Sequence, residues 1–349
     1  SQQDFLSVHD ADFAAALDVV ERARIENENQ SQSCGVIPQQ INDMKKGCPG
    51  CVYKSACLQE MKDFDGGTGH VTLLASITPD VAATKLPGIQ SIGQLRAAPA
   101  TDDFMMTAKL RAEVWKSKVP QLLNPAEPFD LPEFDIEIDI DLENSMEALR
   151  ELAPDEELGD DRLYLYGFGV HDRTKNKDWK SAVIETISDY SNTDEGECAV
   201  MLAMWNRLQE EITKAKVAGK SIGIFHYSPH ERTWWRNFHK RHAGKLGVPS
   251  EAEIEDFIAN YLVDLIVYAK KITFPTMGYS IKALAPEAGF KWDVKDPGGA
   301  GSLLKYRDAI NPALTQSEHD AAIAWLDSYN RDDVRATFAV RHYIRNLNL

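Results

Sequence analysis

The sequence predicts an α/β chain, with a mixed sheet flanked by helices in its second half and a small helical, cysteine-rich segment before it. Three observations carry this. Residues 134–143 alternate apolar and acidic side chains without a break, the period-two signature of a strand. Residues 195–216 carry Cys198, Met201, Leu202, Trp205, Leu208 and Ile212 at helical spacing, which also makes Cys198 a buried packing thiol. Four of the five cysteines crowd into residues 34–57.

The remaining elements follow in chain order. Residues 10–26 read as a helix through Phe13, Ala16, Leu17 and Val20. Gly66-Gly67 then breaks the chain, and residues 63–130 show short helical patterns separated by prolines, a helical connector. Within it, residues 86–95 have the look of the turn and second helix of a helix-hairpin-helix, whose backbone amides around Gly88 can bind a DNA phosphate. Residues 131–349 form the third region: strands at 134–144, 162–170 and 180–187, the helix at 195–216, a fourth strand at 221–227, and helices from there to the C-terminus.

With 349 residues the chain is long enough for two or three domains, divided here at 1–62, 63–130 and 131–349. Its 54 acidic against 38 basic residues give a net charge of −16, which excludes a protein that coats nucleic acid with a uniformly basic surface. A nuclease stays compatible, because a metal site built of carboxylates accounts for part of the imbalance. No run of eighteen apolar residues and no charged-then-apolar leader is present, so neither a membrane span nor a signal peptide is expected, and the expected location is the cytoplasm. The chain opens at Ser1 without a methionine and is read as a trimmed or partial product.

The cysteines fall as Cys34, Cys48, Cys51 and Cys57. Thiols in a reducing compartment rarely pair, and a Cys-x2-Cys-x5-Cys run with a fourth thiol nearby completes a tetrahedral sulfur shell for one metal centre. Spacing leaves zinc and an iron-sulfur cluster both open.

The acidic row of the 134–144 strand comprises Asp135, Glu137, Asp139, Asp141 and Glu143. Like charges two apart on one face repel, so the row calls either for cations or for a face open to water. Magnesium and manganese take carboxylate oxygens, which makes an Asp-x-Glu at the end of a strand a candidate half of a metal site. Glu231 opens the helix after the fourth strand, and Tyr329 and Asp333 share one face of the last helix at i and i+4. His226 and His230, in the strand-to-helix turn, read as structural.

Asp141-x-Glu143, Glu231 and Tyr329-x3-Asp333 together resemble the DEDD 3′–5′ exonuclease superfamily. The chain resembles more closely the RNase H-like exonuclease domain in the C-terminal half of RecB-like proteins, to which residues 278–284 and 329–337 are similar, over about residues 131–347. The resemblance implies an RNase H-like mixed sheet and hydrolysis of DNA or RNA by a two-metal mechanism. It makes Asp141, Glu143, Glu231 and Asp333 the ligands of two divalent cations, magnesium or manganese, with Tyr329 orienting the attacking water. Asp141 and Glu143 are preferred to Asp135 and Glu137 because they end the strand and Asn144 follows them. Where most DEDD enzymes have aspartate, this chain has Glu231. The cysteine triplet resembles the end of RecB-type nuclease domains, including relatives in CRISPR adaptation, which implies a four-iron four-sulfur cluster and a helicase or an upstream nuclease domain as partner.

Arg232, Arg236 and Lys240 follow Glu231 at spacings of four and share a helix face, where they would track the phosphates of a nucleic-acid strand. Trp234 and Trp235 are adjacent, so at least one packs in the core while the other is available to stack on a base. The alternative to the exonuclease is a non-catalytic nucleic-acid-binding or scaffolding module with a degenerate site, kept open by glutamate at position 231.

Overall fold

A computed structural model of the protein describes residues 54–145, 161–175, 183–294 and 299–349. The helix expected at 10–26 and Cys34, Cys48 and Cys51 lie outside the described residues, and Cys57 is described as backbone alone. The chain divides into two compact units, Ser1–Ala112 and Glu113–Leu349.

In the first unit, α1 (Lys54–Gly67) breaks at Phe64, Asp65 and Gly66, as Gly66-Gly67 predicts. A 3₁₀ turn (Val71–Leu73) leads to α2 (Pro79–Lys85), α3 (Ile92–Ala97) and the start of α4 (Asp103–Ser117). Each short helix is started by a side chain that meets its orphan amides: Thr78 caps α2, and Ser91 with Gln94 forms a reciprocal capping box on α3. Gly88 turns the loop between α2 and α3 at φ +80°, where a β-carbon is disfavoured. The amides beyond it are engaged internally, Ile89 N–H on Leu86 O and Gln90 N–H on Gln94 Oε1.

The second unit begins with β1 (Gln121–Leu122), β2 (Ile136–Asn144), β3 (Leu163–Asp172), β4 (Ile184–Ser188) and α5 (Asp194–Val217). There follow β5 (Ile222–His226), α6 (His230–His242), α7 (Glu251–Tyr261), β6 (Leu262–Asp264), α8 (Leu265–Ala269) and β7 (Ile272–Thr273). The chain closes with α9 (Ile281–Leu284), α10 (Gly299–Ile310) and α11 (Gln316–Arg345). The main sheet has the order β4-β3-β2-β5-β6, with β2 in the middle. β2 and β4 flank β3 antiparallel, whereas β5 runs parallel to both β2 and β6. A parallel pairing needs a crossover, which α5 provides before β5 and α6 and α7 before β6. This is the mixed α/β sheet expected of an RNase H-like fold. β6 and the small β1–β7 pair escaped the sequence reading, because two or three residues are too few to show a period.

Ile138, Ile140 and Leu142 of β2 pack beneath α5, α6 and α7 in one core with Met201, Met204, Leu208, Trp235 and Phe257. Cys198 is buried there, as expected. So are both tryptophans, Trp234 and Trp235, which removes either as a base-stacking platform. Among the described residues no helix is long and apolar enough to cross a membrane.

The acidic face of β2 departs from expectation. Its lower half is neither solvated nor a cation site: Glu137 and Asp139 are 2 % and 0 % exposed, covered by α11. The Arg341 guanidinium, itself 1 % exposed, donates through Nε to Asp139 Oδ1 at 3.0 Å and also bonds Glu137. Arg345 reaches Glu137 Oε1 at 2.7 Å. Phe225 and Phe338 hold the Arg341 guanidinium with ring centroids at 4.6 and 4.7 Å. Burial alone would raise the Asp139 pKa, but Arg341 and His171 outweigh it and hold the carboxyl below the ordinary aspartate range. Asp135 is spoken for as well, accepting from Ser221 N–H at 2.8 Å. These contacts occupy Glu137 with two arginines and tie Asp135 to Ser221.

Removing one partner of a buried pair strands the other charge, so Arg341→Ala should cost about 3–5 kcal/mol in denaturant unfolding. The Asp139 contribution is present above the ordinary aspartate range and is lost as pH falls through its lowered folded pKa. Wild type should therefore lose stability toward acid more steeply than Arg341→Ala.

Candidate active site

Above the ion pair, the same face of β2 continues to Asp141 and Glu143, and α11 brings Asp333 to meet them. One ligand oxygen from each of Asp141, Glu143 and Asp333 lies within 4.8 Å of the others. Two come from alternate positions of one strand and the third from a helix packed across it, so the group is fixed by the fold and not by a loop. A cluster of oxygen donors this close suits a hard divalent cation.

Its electrostatics make the same point. Burial, then Asp333, Glu143 and Glu231, push the Asp141 carboxyl well above the ordinary range. Burial and then Asp333 push Glu143 up to about 8. Metal-free, the site keeps protons to relieve its repulsion; a divalent cation would replace them.

The cluster is braced by residues the sequence reading passed over. Asn330 on α11 donates through Nδ2 to Asp141 Oδ2 at 2.8 Å. It can approach because the residue opposite Asp141 in the sheet is Gly167, where a β-carbon would stand 2.0 Å from Asn330 Oδ1. A glycine inside a strand, Gly167 in Tyr-Gly-Phe-Gly, was the available signal of close approach. Ser302 hydrogen-bonds Glu143. Asp333 Oδ1 accepts the Trp292 indole N–H at 2.6 Å and the Lys282 ammonium. Lys282 belongs to the 278–284 segment that the resemblance had picked out, though not as a site residue.

Tyr329, 3 % exposed, stacks on Trp325 at 5.2 Å with rings 13° apart, and Lys282 Nζ lies 4.4 Å from the Tyr329 ring centroid. Burial and then Asp333, Glu143 and Asp141 raise its hydroxyl far above the usual tyrosine range, so it stays protonated.

Glu231 stands outside the close group of oxygens. It opens α6, where the helix N-terminus favours an acid, and its Oε2 lies 3.1 Å from His226 Nδ1. The turn before it is strained, with Ser228 at φ +109° held by Asp264 Oδ1 on its amide at 3.0 Å. His226 is buried with Nδ1 2.7 Å from Ser228 O, and His230 accepts the Trp234 indole N–H at 3.1 Å. Of the expected phosphate-tracking row, Arg232 turns inward to His226 Nε2 and Leu262 O, both at 3.3 Å. Arg236 pairs with Glu255 at 2.6 and 2.9 Å, and Lys240 is exposed.

Two predictions follow from this geometry. An unfolded glutamate ionises near 4.5, whereas Glu143 in the metal-free fold holds its proton to about 8, so the metal-free protein should lose stability as pH rises between those values. Thermal melts at pH 6 and pH 8 should differ in that direction, and added manganese should abolish the difference. Gly167→Ala forces a methyl into Asn330, an overpacking that should cost about 1–3 kcal/mol by denaturation and weaken manganese binding.

Comparison with known proteins agrees with this architecture. The family model of the RNase H superfamily matches residues 156–345, which includes β3 to α11, with Glu231, Tyr329 and Asp333, and begins after β2. No curated protein and no solved structure matches the chain. The family match suggests a nuclease-type activity on nucleic acid and accords with a carboxylate group that suits divalent metal. With more than half of its length matched, the chain belongs to the RNase H superfamily.

Proposed function

We propose that the protein is a metal-dependent exonuclease of the DEDD type, hydrolysing DNA or RNA phosphodiesters in the 3′–5′ direction. The observation that carries the reading is the convergence of Asp141, Glu143 and Asp333 within 4.8 Å, with the protonated hydroxyl of Tyr329 beside them. Asp141, Glu143 and Asp333 would hold divalent cations, with Glu231 as the fourth carboxylate. When bound, such ions activate water and stabilise the leaving oxygen of a phosphodiester. The chain's own groups do the rest. Asn330 fixes the Asp141 carboxylate, while Lys282 and Trp292 fix one oxygen of Asp333. Tyr329 keeps a proton to donate, which suits it to orient the attacking water.

A second reading, a nucleic-acid-binding module without catalysis, is favoured by the separate position of Glu231 and its contact with His226. One experiment separates them. Manganese titration and cleavage of end-labelled single- and double-stranded DNA and RNA should show binding together with stepwise shortening from the 3′ end. Asp141→Asn and Asp333→Asn should each reduce cleavage to background while circular dichroism stays native. Binding of nucleic acid without cleavage in the wild type would select the module.

We infer from their spacing that Cys34, Cys48, Cys51 and Cys57 hold one metal centre, iron-sulfur or zinc. Visible charge-transfer absorbance is expected for a cluster, and elemental zinc in a colourless protein for the other; absence of both would reject the centre.

A further inference from the structure

Among the described residues Lys282 is the cation that touches the carboxylate group, and the metal reading gives it only the bracing of Asp333. Lys282 lies on α9, a single helical turn, and its ammonium is held by three groups: Asp333 Oδ1, the Trp292 ring at 4.3 Å and the Tyr329 ring at 4.4 Å. Two aromatic faces and a carboxylate form a built cage for an ammonium. Yet the residue is 30 % exposed, so the cage opens to solvent at the edge of the carboxylate group.

Charge decides what that ammonium is for. A lysine beside a divalent-cation site repels the ions, so a lysine whose sole task was to brace Asp333 would weaken the site it braces. The indole N–H of Trp292 already supplies a neutral brace on the same oxygen at 2.6 Å. Four ionised carboxylates, Asp141, Glu143, Glu231 and Asp333, cancel two divalent ions. Lys282 is then the surplus, one positive charge against the single negative charge of a phosphodiester. We propose that Lys282 is a substrate-binding residue, whose ammonium leaves Asp333 when cations fill the site and takes the phosphate at the cleavage position. This rests on the metal-dependent reading above.

The test uses the full chain and a labelled single-stranded oligonucleotide, bound in calcium across a salt series, with manganese affinity measured separately by calorimetry. A lysine that neutralises one phosphate contributes roughly 0.7 to the slope of log affinity against log salt for a single strand. Lys282→Met should flatten the slope by about that amount, and manganese should bind it at least as tightly as wild type, since the repulsion has gone. Lys282→Arg should restore the slope. An unchanged slope in Lys282→Met would overturn the assignment, as would weaker manganese binding with the slope intact, the mark of a merely structural lysine. A wild type that binds no manganese would instead overturn the metal-dependent reading itself, so the two failures are distinguishable.

Discussion

The ion pair of Arg341 with Glu137 and Asp139 fixes how α11 lies on β2, and the carboxylate group depends on that placement. The helix descends as the strand rises: Arg345 meets Glu137, Arg341 meets Glu137 and Asp139, and Asn330 meets Asp141. With the guanidinium seated, α11 runs on over the acidic face and brings Asn330 to Asp141 and Asp333 into the carboxylate group. A slip of one helical turn would carry Asp333 about 5 Å away. A buried ion pair adds little net stability over a well-packed apolar pair, but leaving it half-made is costly. Its contribution here is register.

One strand thus serves two ends. The four acids of β2 alternate on a single face, yet the lower two, Glu137 and Asp139, are neutralised by Arg341 and Arg345, while the upper two meet further carboxylates. Cations cover the lower acids, whereas among the described residues Lys282 is the cation that touches the upper group. That gradient, more than the count of acids, separates scaffold from site, and it explains why Asp139 ionises readily while Asp141 and Glu143 resist.

β2 was legible from its period of two and α5 from its period of 3.6, whereas β3 and β5 read as runs of mainly apolar residues, which the sheet buries on both faces. β6 and β7 were not legible, being too short to show any period. Asp141, Glu143 and Asp333 were legible as candidates from residue type and position, but their meeting required the long-range docking of α11. The fate of Glu137 and Asp139 was illegible for the same reason, since Arg341 lies some 200 residues away and nothing local marks it as their partner. Trp234 and Trp235 misled in a simpler way: neighbours on a helix point about 100° apart, but α6 is enclosed by the sheet and α7 and buries both.

Arg232, read from the sequence as a substrate contact, is instead tied into the fold from inside. An arginine Nε–H can only donate, so its bond to His226 Nε2 makes that nitrogen the acceptor and leaves the ring proton on Nδ1. Nδ1 then donates toward Ser228 O at 2.7 Å and Glu231 Oε2 at 3.1 Å. The chain of contacts runs from a cation through one imidazole tautomer to the carboxylate, and the strained Ser228 backbone is held at its midpoint. Arg232 also grips Leu262 O at the start of β6, tying the β5–α6 turn to the neighbouring strand. Glutamate's extra methylene gives it more freedom than aspartate at this position, and the relay removes that freedom. The basic residue next to Glu231 in sequence thus aims the acid.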